Sequence, residues 1–356
     1  MTLAPVLAAL EAGRREGVAP GLSAVVLAKG APAHASFHGA AQVVPEPRAL
    51  GAGDLFDVAS LTKVMATASL AALLAEAGAL ELDAPAARWL AALAGEKAPV
   101  TVRHLLAHAA GFPAWRPLHA AARGRDSVVA AAAVTPLDAA PGTRAVYSDL
   151  GFIVLGAVLE AAAGAPLDAL FDTRVARPLG LASTSFVPAR DPARRRSAFV
   201  ATRRTPERGV ACGEVDDDNA FAMGGVAGHA GLFSTAADVA ALGQAWLDAA
   251  AGRSRWLRAE TAARFLARDA TPGSERALGW DTPSREKTTL GTRLGRGPRG
   301  AVGHLGFTGC SLWVDLDREV VCALLTNHVH PDGADKQRIN AFRARFHDAV
   351  AQGLGI

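Results

Sequence analysis

Apolar and polar residues follow one another along this chain in blocks whose period changes. The opening stretch, MTLAPVLAALEAGRREG, mixes acid and base along a short amphipathic helix. Leu22 to Gly30 (LSAVVLAKG) is an apolar run rich in β-branched residues, hence a strand, with Ala33 to His38 as its hairpin partner. After a Pro/Gly-rich loop comes Asp57 to Gly78, DVASLTKVMATASLAALLAEAG. Between Leu61 and Ala75 its one charge is Lys63, and Gly78 stands where a helix C′ residue belongs. A helix apolar on nearly all sides is a buried one.

From about Leu80 to Ala270, Ala-rich helical patterns are broken by Pro and Gly. Asp149 to Ala163 and Thr235 to Ala251 are the clearest, the latter capped by Ser234 or Thr235. Strand signals return at Ala301 to Cys310, Ser311 to Asp315 and Glu319 to Thr326, with Asp317-Arg318 as a tight turn. A closing helix is expected over Lys336 to Ala351. Strands near both ends with helices between predict a discontinuous α/β domain (residues 1–79 and 274–356) and a mainly helical insertion (80–273). No internal repeat is visible.

Composition narrows the function classes. Half of the 356 residues are apolar and a fifth are charged, an ordinary globular balance. The net charge is only +3, and Arg194-Arg195-Arg196 is the densest basic run. With one Tyr, six Trp and no aromatic–basic interleaving, nucleic acid is not an expected partner. Cys212, Cys310 and Cys322 have no metal spacing and cannot all pair, so reduced thiols are expected. The N-terminus lacks a basic region followed by an apolar core, and apolar runs such as Val128 to Val134 are short. No export signal and no membrane span are therefore expected, and the cytoplasm is the expected location.

Two rare residues carry the chemistry. Ser60 and Lys63 lie three apart at a helix start, so their side chains share a face. A lone Lys in a buried helix is costly unless paired or functional, and burial beside a positive helix end makes it a candidate proton acceptor. Only five of the 37 basic residues are Lys. Tyr147, in AVYSDLGF, is the single tyrosine of the chain.

Together these stretches resemble the penicillin-recognising serine hydrolases, the family of class C β-lactamases, DD-peptidases and many esterases. Ser60-Leu61-Thr62-Lys63 is similar to the family's nucleophile motif, Tyr147-Ser148-Asp149 to its Tyr-x-Asn motif, and Gly303 to Gly309 (GHLGFTG) to its Lys-Thr-Gly or His-x-Gly motif. Residues 101–113, 151–160, 177–181 and 228–240 match in the family's order. The resemblance implies an α/β (α+β) fold: an antiparallel sheet flanked by helices, with an inserted helical domain. It implies Ser60 as nucleophile and Lys63 and Tyr147 as general base and acid, either of them the primary base. It also implies Asp149, His304, Gly306 and Phe307 as substrate-binding residues, His304 either holding a carboxylate or tuning Tyr147. The backbone N–H groups of Ser60 and Phe307 would form an oxyanion hole.

Two positions depart from the pattern. Asp149 replaces an Asn whose amide helps hold a substrate amide, and Leu305 replaces a hydroxyl residue that helps bind a carboxylate. Both favour a neutral, apolar acyl substrate. The expected activity is hydrolysis of a small-molecule carboxylic ester, without metal or organic cofactor. The alternatives are a D-amino-acid peptidase or β-lactamase-like amidase, and a catalytically silent binding member, which a firm Lys63–Asp149 salt bridge would favour.

Other motifs read as structural. His104 and His108, at i and i+4, lack the Glu of a zincin motif. Lys287-Thr288-Thr289 lacks a glycine and reads as loop. Met223 to Gly231 lacks a phosphate-loop Lys and reads as a cleft-lining loop in which His229 touches substrate at most. Asp216-Asp217-Asp218 reads as a solvated acidic turn. There is no Gly-x-Ser-x-Gly elbow.

Overall fold

The computed structural model describes residues 3–187, 198–284, 288–333 and 335–356. Arg194 to Arg196 and Lys287 lie outside the described residues. Helix α1 (Ala4–Arg15) leads into a hairpin of β1 (Gly21–Ala28) and β2 (Ala31–Gln42), followed by the short β3 (Arg48–Ala49) and β4 (Phe56–Asp57). A 3-10 turn (Ala59–Leu61), a π-helical segment (Lys63–Ala68) and α2 (Ser69–Glu76) then form one rod. The middle holds α3 (Val102–Leu106), α4 (Arg125–Val134), α5 (Asp149–Ala163), α6 (Leu167–Phe171) and α7 (Arg177–Leu179). Next come β5 (Ser185–Phe186), β6 (Arg204–Thr205), β7 (Gly209–Val210), α8 (Asp218–Ala222) and β8 (Leu232–Ser234). Then follow α9 (Ala236–Ala250) and α10 (Ala259–Leu266), and the chain closes with β9 (Ala301–Leu305), β10 (Ser311–Asp315), β11 (Val320–Thr326) and α11 (Lys336–Gly353).

Six strands form an antiparallel sheet in the order β3-β2-β1-β11-β10-β9. The first and last parts of the chain thus meet in the sheet's centre, where Leu22 pairs with Thr326. Strand period explains why β11 reads as an unbroken apolar run. Val321, Ala323 and Leu325 face one core with α9, while Val320, Cys322 and Leu324 face a second with α1 and α11. A smaller sheet, β4-β8-β5, and the ribbon β6-β7 lie outside the large one. Their two- and three-residue strands are too short to show any alternation in the sequence.

The 59–76 rod, within the helix expected over Asp57 to Gly78, is 18 residues long and apolar enough to cross a membrane, whereas the sequence reading held the chain's apolar runs too short for a span. In the fold 78% of it is buried inside the protein, where it packs on α5 and α10. Thr235 caps α9 by accepting the Asp238 N–H. Cys212, Cys310 and Cys322 are thiols, none of them in a disulfide among the described residues.

Candidate active site

The segment that carries Ser60 is pinned before it becomes helical. Asp57 is buried, and its two carboxylate oxygens accept the N–H of Ala59 at 2.8 Å and of Asp216 at 2.6 Å. The first bond holds Ala59 at φ +48, a left-handed conformation that costs a non-glycine residue about 1–2 kcal/mol, directly before Ser60. Burial and the neighbouring Asp216 push the Asp57 carboxyl up to about 7. Ser60 follows at once in the 3-10 turn and is half-buried at the floor of a cleft of about 620 Å³.

Lys63 lies behind Ser60, fully buried at the start of the π-helical segment. Its ammonium meets three acceptors: Asp149 Oδ1 at 2.7 Å, Ser60 Oγ at 3.0 Å and the His229 carbonyl at 3.0 Å. Three N–H groups therefore have three partners, the full complement of a charged lysine. Burial alone would push Lys63 down, but the charges of Asp149 and Tyr147, with their hydrogen bonds, outweigh it and hold Lys63 above its ordinary value.

Tyr147 precedes α5, where Ser148 serves as N-cap by accepting the Gly151 N–H. Its hydroxyl donates to Ser60 Oγ at 2.8 Å, and its ring lies 4.9 Å from Lys63 Nζ. Burial raises the phenol above its ordinary value, Asp149 adds to the rise, and Lys63 and Ser60 oppose it. His108 stacks between Tyr147 (centroids 4.6 Å apart) and Phe152 (4.7 Å), and its Nδ1 accepts the Ser148 N–H at 3.0 Å. The i, i+4 partner His104 instead closes a capping box with Thr101 at the start of α3.

The opposite wall is β9 and the turn after it. His304 donates from Nδ1 to the Leu305 carbonyl at 2.9 Å, and its ring centroid lies 5.9 Å from that of Tyr147. Burial pushes His304 well below the ordinary histidine value, so the ring is neutral at neutral pH. Of its two expected roles, only contact with Tyr147 fits that charge state. Gly306 carries no side chain for a close approach within the chain itself: a Cβ there would lie 2.7 Å from the Val58 carbonyl. Arg343 of α11 donates to the carbonyls of Gly306 and Cys310, both at 2.8 Å, and Thr308 Oγ1 donates to the Asp57 carbonyl at 2.8 Å. Phe307 projects from this fixed turn and is 56% exposed.

Ser60, Tyr147, Asp149, His304, Gly306 and Phe307 all line the one cleft, with Lys63 beneath it. His229 and Ala230 of the Gly-rich run line it too. One expectation fails: Asp216 to Asp218 are not a solvated turn. Asp216 is buried against Arg203 at 2.9 Å, Asp217 caps α8 and meets His229 Nε2 at 2.8 Å, and Asp218 faces Arg208 at 3.3 Å. Burial pushes Asp217 up, but the charge and hydrogen bond of His229 outweigh it and hold the carboxyl well below its ordinary value. Three like charges in sequence are thus divided among three different partners. The sequence reading missed Asp57 and Arg276, whose guanidinium lies 5.0 Å from the Tyr147 ring centre. Asp57 precedes the nucleophile motif by three residues, but Arg276 carries no such signal.

Residues 7–345 match the model of the family described as beta-lactamase. The chain belongs to the beta-lactamase family. Among curated relatives of this family, a putative D-alanyl-D-alanine carboxypeptidase of Escherichia coli is 31% identical over 326 residues, 83% of this chain and 74% of the relative. An N-acetylmuramyl-L-alanine amidase of Bacillus subtilis is 30% identical over 343 residues, 88% and 76% of the two chains. The solved structure of EstCE1, a hydrolase with promiscuous acyltransferase activity, superposes with a TM-score of 0.77 at 23% identity, covering 97% of each chain. The β-lactamase-like fold is therefore established, and with it a serine hydrolase of the beta-lactamase family.

Proposed function

We propose that the chain hydrolyses carboxylic esters through an acyl-enzyme on Ser60. The observation that carries this reading is the pair of contacts on Ser60 Oγ, Tyr147 Oη at 2.8 Å and Lys63 Nζ at 3.0 Å, at the floor of an open cleft. With Asp149 holding Lys63 as an ammonium, Tyr147 is the base. Tyr147 first loses its own proton to solvent through the open cleft, and Ser60 Oγ then attacks the acyl carbon as its proton passes to the phenolate so formed. The leaving alkoxide takes that proton, and Tyr147 then deprotonates the water that releases the acid. The backbone N–H groups of Ser60 and Phe307 receive the oxyanion.

An ester with a neutral acyl group suits this cleft. His304 is neutral and offers no charge to a carboxylate, while Phe307 and the 43% exposed Trp115 supply an apolar rim. A second reading, cleavage of a peptide amide, is favoured by relatives named as a carboxypeptidase and an amidase at 30–31% identity. A silent binding member would carry the same Lys63–Asp149 bridge, but a base bonded directly to Ser60 has no purpose there.

The test is turnover of a short-chain aryl ester by wild type and by Ser60→Ala, alongside a chromogenic cephalosporin and a D-alanyl-D-alanine peptide. Ester cleavage lost in the variant, with the other two intact, supports the esterase. Cleavage of the peptide in preference to the ester moves the amidase reading ahead. No turnover of any compound, or a variant equal to wild type, overturns the acyl-enzyme reading.

A further inference from the structure

Arg276 lies outside every motif discussed above, yet it reaches the centre of the site. Residues 276–281 form a tight hairpin in which Arg276 and Asp281 pair as a β-bridge, and Ala277 N–H donates to the Trp280 carbonyl at 2.8 Å. This hairpin docks on the free edge of β9. Asp281 N–H donates to the Gly303 carbonyl at 2.8 Å, and Gly303 N–H returns to the Asp281 carbonyl at 2.9 Å. The register places Arg276 one bridge away from the residue preceding His304. The tip is equally fixed. Gly279, at φ +83, donates to the Leu106 carbonyl at 2.8 Å, and a Cβ there would lie 2.6 Å from the Ala68 Cβ on the nucleophile rod. A hairpin tied to the sheet edge, to α3 and to the nucleophile rod holds its side chains in place.

What it holds is a cation. The Arg276 guanidinium sits 5.0 Å from the Tyr147 ring centre and is clamped by an ion pair from its Nη1 to Asp281 Oδ1. Lys63 Nζ lies 4.9 Å from the same ring centre. The other titratable groups around the phenol are His108, stacked on its ring, His304 across from it, and Asp149 on the far side of Lys63. Both histidines are buried and neutral. Among the described residues, Arg276 and Lys63 are therefore the positive charges at the ring, and the wall strand β9 brings none.

We propose that Arg276 is a positioning residue for Tyr147: clamped by Asp281 on the hairpin that covers β9, it stabilises the phenolate that takes the proton of Ser60. The proposal rests on Tyr147 as the base. A unit charge about 5 Å away, at an effective dielectric of about 25–50 beside an open cleft, changes the population of an ion by roughly 10- to 100-fold. Losing that charge lowers the phenolate fraction by the same factor. Neutralising Asp281, which competes for the guanidinium, does the opposite.

Tyr147 is the chain's one tyrosine, so its ionisation can be followed without any substrate. The experiment is a pH titration of the near-ultraviolet phenolate absorbance in wild type, Arg276→Met, Arg276→Lys and Asp281→Asn, with tryptophan circular dichroism to confirm the fold at each point. The expected result is a midpoint raised by about 1–2 pH units in Arg276→Met, nearly restored in Arg276→Lys and lowered in Asp281→Asn. Labelling of Ser60 by a fluorophosphonate at about pH 7.5 should slow by roughly 10- to 100-fold in Arg276→Met and recover as pH is raised. An unmoved midpoint overturns the proposal whatever the activity. A moved midpoint with unchanged labelling leaves Arg276 acting on Tyr147 and refutes Tyr147 as the base. If Arg276→Met does not fold, the Arg276→Lys and Asp281→Asn midpoints decide: a downward shift in the second supports the proposal, and none overturns it.

Discussion

Replacing Asp149 by Asn tests the charge state on which the proton path depends. The substitution keeps the shape and an amide oxygen for Lys63 Nζ, and removes only the negative charge 2.7 Å away. Two unit charges at that distance attract by about 6 kcal/mol at an effective dielectric of about 20. Removing one partner of a buried pair typically costs about 3–5 kcal/mol, and the retained hydrogen bond sets the expectation at the lower end, about 3 kcal/mol. That cost falls on the charged lysine, so its pH dependence reveals it. In wild type Lys63 is held above its ordinary value, so its contribution is intact below the ordinary lysine value of 10.5 and is lost only as pH rises through the folded value. In Asp149→Asn burial dominates, the folded value drops below the unfolded one, and stability rises with pH between the two.

Urea unfolding of both proteins between about pH 6 and pH 10 supplies the measurement. The stability gap should be near 3 kcal/mol at about pH 6 and should narrow toward pH 10. The rate should report the same change: a neutral fraction of Lys63 can now accept the Ser60 proton, so the rising limb of kcat/KM moves to lower pH. A gap independent of pH together with an unmoved limb would refute the claim that Asp149 keeps Lys63 charged.

Three further perturbations follow from single positions. Gly279→Ala adds a Cβ 2.6 Å from the Ala68 Cβ at φ +83 and should destabilise by about 2–4 kcal/mol in urea; a loss below about 1 kcal/mol would mean that the hairpin tip can move. Asp57, pushed up to about 7 from the ordinary 3.8, contributes stability that is complete below 3.8 and lost as pH rises through about 7, up to about 4 kcal/mol in all. Asp57→Asn should flatten that slope in melting curves, and identical slopes in the two proteins would sink the assignment. Phe307→Ala keeps the backbone N–H and removes an exposed apolar surface, so kcat/KM for a long-chain ester should fall roughly 5- to 30-fold while an acetyl ester is spared. Equal losses for both esters would contradict the rim role.

The elements legible in the sequence are those with long or repeated patterns. The run Asp149 to Ala163 is a helix over those same residues because ten of its positions are buried and Ser148 caps it. The late strands were legible as apolar runs because the sheet is covered on both faces. The site was legible only where residue types were rare: Ser60 with Lys63, and the one tyrosine. What stayed hidden has a common cause. The π-helical turn at Lys63–Ala68, the two-residue strand β4 and the single bridge at Arg276 are all six residues or shorter, below the length at which periodicity shows. The acidic triplet misled for a different reason. Neighbouring like charges suggest solvent unless their separate partners, here Arg203, His229 and Arg208, are known, and these are 10 to 13 residues away.

The unusual composition then has a structural reason. This chain uses Arg at nearly every basic position, yet Lys63 is not replaceable by Arg. Its Nζ must reach a carboxylate, a hydroxyl and a carbonyl at 2.7–3.0 Å from inside a fully buried helix, which a compact three-donor ammonium can do and a planar fork cannot. Arg276 performs the complementary task, where a flat cation over an aromatic face is wanted and a partner carboxylate can be met sideways. The two cations offset part of the burial that holds Tyr147 above its ordinary value. Each charge belongs to a different layer of the fold, one to the nucleophile rod and one to the hairpin on the sheet edge. The proton chemistry of the cleft is therefore coupled to how those layers pack, which is why a variant as remote as Gly279→Ala should alter the ionisation of Tyr147 as well as stability.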